Sequence, residues 1–555
     1  MSERYGKGNA ERIGRLWVLH LKGTAFERGL QHGTLMRYRV RDTIAFYLDL
    51  PTLMASRTAG PGSFKLKAFN RLKRHLVARF IKKRDSEALE EARGLAVGLG
   101  MRFEEVAEAL VLVDVLQVFG ALLERKRKAG PPALPGWGCT SAIRETPSGL
   151  LFARNLDFWG AGYWDENPAI IFHHPDRGKA FCSVVSAGVP TGGLTAMNED
   201  GLAIAVHQHG SMDASAGGSF IIDIAHTIIR RAGNVDEALE IASSFKPTGG
   251  WTLVMAGGSP PKAVALEMSS ATHKPRFMTG GMLAASNHFH DEKLSERELQ
   301  ANLSATISSY ARQQRALQLL GGPRISPARM AALLGDHFDP LAGWERSAGF
   351  TISRITNLSS AIFSLPDRRF WVSESPAPTS KGGFVGFDLQ EELGGRPSTA
   401  VRLEGGRPPA KRVTSAQDMY LDAYKEYIYS GDLNRVLEIL GTCATLDKGE
   451  STFPLMEGII RALLGNYRGA LASVSRSLEM EKCHLKRPLE TLWKARVLDL
   501  LDRRKESLPL YGELAWSTDI PAVVTRAAKR GLKKAYGEKQ LSGVVLDLAD
   551  GDTFE

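Results

Sequence analysis

Three side chains that lie close together in the sequence have types suited to nucleophilic chemistry. Cys139 stands among small or polar neighbours in WGCTSAIRETPSGLLFARNLDF, residues 137–158. Arg154 follows it by fifteen residues, and Asp157 ends the run RNLD. A cysteine thiolate is a strong intrinsic nucleophile that needs only modest activation. This stretch therefore predicts a cysteine nucleophile in the setting of one cation and one carboxylate.

Chemistry alone leaves two ways of activating Cys139. A papain-like site supplies a histidine base, but the sequence around Cys139 lacks the helix-opening signature of such sites. Alternatively, cleavage of the Gly138–Cys139 bond frees an α-amine with an ordinary pKa of about 8, which can take the thiol proton itself. Glycine at 138 suits this route because it tolerates the strained backbone that attack on its own carbonyl requires.

The charged pair has two readings as well. In a strand, Arg154 and Leu156 share one face while Asp157 lies on the other. Asp157 can hold an N-terminal ammonium and Arg154 can tune the thiol or bind an oxygen of the substrate. A purely structural Arg–Asp pair at a sheet edge is an equally open interpretation of the same residues.

The elements that must position these residues change in character along the chain. Residues 1–25 read as strand and 26–125 as mostly helix, in the stretches 26–50, 64–97 and 103–123. The Lys-, Gly- and Pro-rich run KRKAGPPALPGWG is typical of an exposed connector. From 139 to 395, runs of strands separated by runs of helices predict an α+β layered domain. We expect 1–138 to form a strand plus a mainly helical pro-segment.

The C-terminal part is predicted to be all-α. Residues 396–413 read as a linker, and 414–555 as a helical repeat domain. Gly431-Asp432, Gly465-Asn466 and Asp502-Arg503 mark helix–helix turns that are 34 and 37 residues apart. A period near 34 is that of a tetratricopeptide-like array, which usually offers a surface to a protein partner. The alternative is that these helices simply pack on the catalytic part.

Composition excludes several classes of protein. The 555 residues carry a net charge of +10, and no apolar run approaches the length of a membrane-spanning helix. No secretory leader is evident, and the four cysteines are scattered without CxxC pairs, which favours a cytoplasmic protein without a zinc site. Two HxH pairs, His207/His209 and His288/His290, are better interpreted as polar neighbours of a cleft than as metal ligands. We therefore predict neither a metal nor a cofactor.

Much of the positive charge lies in residues 64–84, FKLKAFNRLKRHLVARFIKKR. At helical spacing its apolar residues fall on one face with cations opposite. A solvated surface helix is the simple interpretation, and peripheral contact with an anionic membrane is the sharper one. A nucleic-acid partner is not predicted, because no nucleic-acid module accompanies the basic residues.

Four motifs in order carry a family resemblance. The chain resembles N-terminal-nucleophile (Ntn) cysteine hydrolases in the motifs GCT, LLFARNLDF, MNEDGLAIAVHQ and ASNHF. A further similar segment, GTAFERGLQHG at 23–33, precedes them. The group is that of the acyl-CoA:6-aminopenicillanic acid acyltransferases (isopenicillin N acyltransferases) and choloylglycine hydrolases, and the resemblance covers about 15–385 but not the helical tail. It implies a four-layer αββα sandwich, a proenzyme that cleaves itself before the cysteine, and attack on an amide or thioester carbonyl.

The resemblance also implies roles for single residues. It puts Cys139 at the nucleophile position, with Gly138–Cys139 as the autocleavage site, and Arg154 and Asp157 at the charged positions of RNxD. It further puts Asn287 at an oxyanion or substrate-polarising position, and it implies that Gln208 and Arg312 are oxyanion or substrate residues. Gln208 departs from the Asn of the bile-salt branch, so its donor reaches one methylene further.

The leading hypothesis is a self-processing cysteine amidohydrolase or acyltransferase. It takes an acyl group from a small-molecule acyl amide or acyl thioester through an acyl-Cys139 intermediate, which water or an amine then resolves. Hydrolysis and transfer differ only in the acceptor that the pocket admits. The runner-up is an unprocessed Ntn-fold scaffold that binds partners through its helical repeats. A third hypothesis is a lipid-amide hydrolase that docks on membranes through 64–84.

Overall fold

The computed structural model describes residues 3–59, 64–82, 86–126, 138–187, 192–299, 302–398, 401–405 and 409–554. The strands are β1 Glu3–Tyr5, β2 Gly8–Ile13, β3 Leu16–Gly23, β4 Gly138–Thr146, β5 Gly149–Asp157, β6 Pro168–Pro175, β7 Phe181–Ser186, β8 Thr195–Asn198, β9 Ala203–Ser211, β10 Gly250–Gly257, β11 Lys262–Met268, β12 His273–Phe277, β13 Met282–Ala285, β14 Glu298–Leu299, β15 Phe338–Asp339, β16 Trp344–Glu345, β17 Asn357–Ser364, β18 Arg369–Ser373, β19 Phe384–Asp388, β20 Arg402–Leu403, β21 Val545–Asp547 and β22 Asp552–Phe554.

The α-helices are α1 Ala25–Leu35, α2 Arg37–Ala59, α3 Phe64–Ile81, α4 Ser86–Leu99, α5 Phe103–Lys126, α6 Ile221–Arg231, α7 Val235–Ser243, α8 Glu292–Ser295, α9 Leu303–Leu320, α10 Pro327–Leu334, α11 Leu389–Leu393, α12 Lys411–Tyr429, α13 Leu433–Leu446, α14 Thr452–Leu463, α15 Tyr467–Met480, α16 Arg487–Leu500, α17 Arg504–Trp516, α18 Ala522–Lys533 and α19 Glu538–Leu541. No helix in the described ranges is both long enough and apolar enough to cross a bilayer.

Two large sheets organise the part of the chain that carries Cys139. In the described residues, the larger sheet has the order β1-β2-β3-β6-β7-β8-β9-β10-β11-β12, with β14 paired to β9. The smaller sheet has the order β13-β4-β5-β17-β18-β19-β20. The β3–β6 pairing is parallel, and it joins the N-terminal strands to the larger sheet. The segment before Cys139 is thus an integral part of that sheet, whatever happens to the chain at residue 138.

Apolar side chains fill the space between the two sheets and cover their outer faces. Phe172 of the larger sheet and Phe152 and Phe363 of the smaller sheet share one buried core. The opposite face of the larger sheet packs on α6 and α7, and that of the smaller sheet packs on α9 and α10. Strands covered on both faces need apolar residues at consecutive positions, which explains runs such as AIIF in β6. The prediction of a mixed α+β protein with a helical C-terminal region is confirmed.

The N-terminal helices differ in detail from the predicted stretches. The stretch 26–50 is divided at Met36, where α1 ends and its cap N–H bonds the carbonyl of His32. In α3, Lys73 is buried and pairs with Glu108 of α5 at 2.8 Å, so this cation does not belong to a solvated face. Residues 83–85 lie outside the described residues, and contact of 64–84 with a membrane stays a prediction.

The C-terminal helices pack as successive pairs. The pairs α12/α13, α14/α15 and α16/α17 each turn at a residue of positive φ, namely Gly431 (74°), Gly465 (80°) and Asp502 (57°). A residue of positive φ is needed at the equivalent turn of each pair, and glycine adopts that conformation most readily, which explains Gly431 and Gly465. Within the segment predicted as a linker, Arg402–Leu403 forms the edge strand β20, while residues 399–400 and 406–408 lie outside the described residues.

Candidate active site

Cys139 lies near the start of β4, where the hairpin with β5 brings the predicted residues together. Its register partner is Leu156, so Arg154 lies one pair further along the same face and Asp157 lies on the other face. The Cys139 side chain is 4% exposed and lines a cavity of about 90 Å³. The thiol therefore faces an enclosed space rather than bulk solvent.

Arg154 is fixed beside the thiol by main-chain and side-chain oxygens. Its Nη2 lies 3.4 Å from Cys139 Sγ and donates to the carbonyl of Val206 at 2.7 Å. Its Nη1 donates to Thr195 Oγ1 at 2.7 Å and to the carbonyl of Leu194. These bonds fix the buried guanidinium beside the thiol.

Asn287 holds the main-chain nitrogen of Cys139. That N–H donates to Asn287 Oδ1 at 2.6 Å, and Asn287 Nδ2 donates to the main-chain carbonyl of Gln208 at 3.0 Å. The side chain of Gln208 is 6% exposed and lines the same cavity, and its Nε2 has no hydrogen-bond partner. Gln208 Nε2 is thus a free donor on a cavity-lining residue, as are the indole Nε1 atoms of Trp164 and Trp251, whereas the Asn287 amide is already engaged.

Arg312 reaches Cys139 from α9, on the side of the smaller sheet away from the larger one. Its Nη1 donates to the carbonyl of Cys139 and to Thr140 Oγ1, the latter at 2.9 Å. Its Nη2 donates to Asn287 Oδ1 at 3.0 Å. Burial lowers the pKa of Arg312 to about 10, so the guanidinium stays charged at neutral pH.

Asp157 presents an unsatisfied oxygen beside the predicted cleavage site. Asn357 Nδ2 donates to its Oδ1 at 3.2 Å, while Oδ2 has no hydrogen-bond partner. Burial raises the pKa of Asp157, against the opposing effects of Arg354 and Arg312. A buried carboxylate oxygen without a donor is unfavourable, and a nearby ammonium would relieve it.

Gly138 lies directly against the Asp157 carboxylate and the guanidinium of a further arginine, Arg354. A Cβ at 138 would lie 2.7 Å from Asp157 Oδ2 and 2.8 Å from Arg354 Nη1. The φ of Gly138 is not in the left-handed region. Close contact on both sides, rather than an unusual backbone conformation, is therefore why this position suits glycine.

The histidines near the site bond to other groups. His207 Nε2 lies 2.7 Å from Ser141 Oγ, and its Nδ1 lies 3.1 Å from the carbonyl of Ser286. Burial lowers the pKa of His207 well below its ordinary value, so the ring is neutral. Among the described residues no cluster of three or more His, Cys, Asp or Glu side chains could hold a metal ion.

Apolar side chains form most of the cavity wall, and several come from the segment before Cys139. The lining residues include Tyr47 of α2, Leu110 and Val113 of α5, Ile222 of α6 and Trp251 of β10. Sequence reasoning missed all of these wall residues. Their helical spacing predicts buried positions, but no local signal says which elements meet around Cys139.

Comparison with known proteins adds an independent finding. The family model described as acyl-coenzyme A:6-aminopenicillanic acid acyl-transferase matches residues 144–376. This span is less than half of the chain; it includes Arg154, Asp157, Gln208, Asn287 and Arg312 and begins just after Cys139. No curated protein matches the chain. The match supports the Ntn acyltransferase group and an enzyme of the acyltransferase or hydrolase type.

Proposed function

We propose that this protein is a self-processing Ntn cysteine amidohydrolase or acyltransferase with Cys139 as its nucleophile. The observation that carries the proposal is Cys139 Sγ in an apolar cavity, 3.4 Å from the fixed guanidinium of Arg154. The family match and the core shared by two sheets, with helices on both outer faces, support a four-layer αββα sandwich. Predominantly apolar walls suit an uncharged, hydrophobic acyl group.

Self-processing proceeds by attack of Cys139 Sγ on the Gly138 carbonyl. The S–C bond forms as the Gly138–Cys139 C–N bond breaks, and the thiol proton passes to the departing nitrogen. Water then hydrolyses the thioester, which regenerates the thiol and leaves a carboxylate on Gly138. The new α-amine supplies the N–H donor that Asp157 Oδ2 lacks, and Asn287 Oδ1 already bonds the same nitrogen.

In the mature enzyme, the α-amine of Cys139 takes the thiol proton and the thiolate attacks the substrate carbonyl. The unpartnered Nε2 of Gln208 is the donor best suited to the developing oxyanion, since a preorganised donor acts where charge appears. Asn287 and Arg312 hold the main chain of the nucleophile. The amine then returns the proton to the leaving nitrogen or sulfur, and water or an amine acceptor resolves the acyl-Cys139 thioester.

The proposal extends to the helical tail. Three helix pairs with equivalent left-handed turns support a tetratricopeptide-like array from 414 onward, which would take a protein partner. The division of the chain at 138/139, 395/396 and 413/414 is part of the same proposal.

Mass analysis of the purified full-length protein tests the function. The wild type is expected to yield a fragment that begins at Cys139, about three quarters of the chain. It should also form an acyl adduct on Cys139 with amides or thioesters of hydrophobic acids. The Cys139→Ala variant should stay whole and inactive.

The matched control is Cys182→Ala, the same change at a cysteine buried in the core between the sheets. That variant should cleave itself and turn over substrate like the wild type. A wild-type protein that remains one inactive chain would contradict the proposed function and favour the scaffold hypothesis.

A further inference from the structure

The C-terminal hairpin, β21 and β22 with their connecting turn, returns from the helical region to the Cys139 site. Leu546 and Leu548 are buried in the same apolar core as Cys139 and Leu156. The N–H of Leu546 also bonds the hydroxyl of Tyr427 at 3.1 Å. The hairpin is therefore packed into the interior, in the core that extends to Cys139.

The turn of the hairpin supplies a carboxylate to a buried arginine. Asp550 Oδ1 lies 2.8 Å from Arg354 Nη2, and the two side chains are 2% and 3% exposed. Arg354 Nη2 also donates to the carbonyl of Ala549 at 3.5 Å, and its Nη1 donates to Ser308 Oγ at 3.5 Å. Burial at this depth makes an unpaired charge unfavourable, and Asp550 is the carboxylate that pairs directly with Arg354 and holds its guanidinium in place.

The other terminal nitrogen of Arg354, Nη1, lies at the predicted cleavage site. Arg354 Nη1 and Asp157 Oδ2 flank Gly138 so closely that a Cβ there would approach both to less than 3 Å. Attack of Cys139 on the Gly138 carbonyl builds negative charge on that residue. A cation fixed against it stabilises such charge without reorganisation. Arg354 thus connects the hairpin to the bond that is cut.

We propose that the C-terminal hairpin is a positioning element for self-processing, in which Asp550 holds Arg354 beside Gly138 and Asp157. This role rests on the proposed function, because it concerns the cleavage of the Gly138–Cys139 bond. It makes activation depend on a docked C-terminus, so that a chain whose helical region is unfolded or incomplete stays uncut. Asp550 acts through Arg354 and is a positioning residue, not a catalytic one.

A time course of cleavage in the full-length protein, followed by intact mass, tests the role. Asp550→Asn is expected to slow cleavage by about 100-fold, the scale of a misplacement of about 1 Å at a reacting centre. Asp550→Glu keeps the charge and should restore part of the rate. The matched control is Asp552→Asn in the same hairpin, whose carboxylate accepts from Ser304 N at 3.0 Å and not from Arg354. Asp552→Asn should cleave at the wild-type rate even if it lowers Tm as much as Asp550→Asn does.

The outcomes separate the two proposals. A wild type that never cuts overturns the proposed function and the hairpin role together. A wild type that cuts no faster than Asp550→Asn overturns the hairpin role alone, and so does equal slowing by Asp550→Asn and Asp552→Asn. If Asp550→Asn does not fold, Arg354→Lys replaces it as the test variant. The lysine still offers Asp550 a positive charge, but its ammonium is placed differently relative to Gly138. An unchanged cleavage rate in Arg354→Lys then overturns the role.

Discussion

At the scale of single residues, polar groups without partners mark the places where chemistry is expected. Asp157 Oδ2 and Gln208 Nε2 are buried and unbonded, and both residues line the cavity that Cys139 faces. Unpaired buried polar atoms are unfavourable in a folded protein. Their presence fits groups that gain partners during the reaction, a new α-amine for Asp157 and an oxyanion for Gln208.

Gln208→Ala is expected to lower kcat by about 10²–10³ with little effect on KM, the loss typical of one oxyanion donor. The variant leaves the site otherwise intact, because Asn287 bonds the main-chain carbonyl of residue 208 and not the side chain. Steady-state kinetics with a hydrophobic acyl amide measures the effect. A kcat close to that of the wild type would show that Gln208 is not the donor.

Gly138→Ala is expected to block or greatly slow self-cleavage. Its Cβ would lie 2.7 Å from Asp157 Oδ2 and 2.8 Å from Arg354 Nη1, so the strand or both side chains must shift. The fraction of cut chain against time, read by intact mass, measures this. Gly441→Ala is the control, since a Cβ at that helical position meets open space. Cleavage of Gly138→Ala at the wild-type rate would contradict the packing account.

At the scale of elements, α5 makes the segment before Cys139 part of the wall of the cavity at Cys139. Ala109, Leu110 and Val113 of α5 line the cavity, and β3 pairs with β6 in the larger sheet. Removal of this segment would expose the core and open the pocket. The N-terminal fragment should therefore stay bound after cleavage instead of leaving like a discarded propeptide.

Ala109→Phe should narrow the acyl pocket. We expect kcat/KM for longer acyl groups to fall by roughly tenfold or more, since one methylene in a hydrophobic pocket is worth about 1–3 kcal/mol. Short acyl groups should be turned over as by the wild type. A series of substrates with increasing acyl length measures this, with Glu104→Phe on the exposed part of α5 as control. Equal losses for short and long acyl groups would argue against a pocket at α5.

At the scale of the whole molecule, a buried ion cluster joins the helical region to the sheet-containing part. Arg346, 1% exposed, pairs with Asp339, Glu450 and Glu481. Although Glu450 is buried, Arg346 lowers its pKa to about 2. Glu450 therefore adds stability above its ordinary pKa, and this contribution is lost as pH falls toward 2.

Arg346→Met should destabilise the protein by about 3–5 kcal/mol at pH 7, because it leaves buried carboxylates uncompensated. The difference from the wild type should shrink as pH falls below the ordinary glutamate range, where those carboxylates take up protons. Urea unfolding at pH 7 and at acidic pH measures both effects. Arg435→Met, which breaks an exposed pair with Glu438, should cost no more than about 1 kcal/mol. Similar losses in the two variants would contradict the burial argument.

The sequence by itself determined the nucleophile candidate, the faces of the β4–β5 hairpin and the helical C-terminal region. Strand alternation and helix–turn spacing are local, so residues within one hairpin or helix pair can be related by counting. The same reasoning put Arg154 and Leu156 on one face of the strand with Asp157 on the other, and it marked Gly431 and Gly465 as turns, as the structure has them.

Only the tertiary structure decided what surrounds Cys139. Much of the cavity wall comes from α2, α5, α6 and β10, and Arg354 contacts both Gly138, 216 residues before it, and Asp550, 196 residues after it. Such contacts join segments hundreds of residues apart, and their formation depends on burial of shared apolar surface against the entropy of closing long loops. No local pattern records that balance, which is why sequence reasoning named a candidate nucleophile but not the elements that surround and position it.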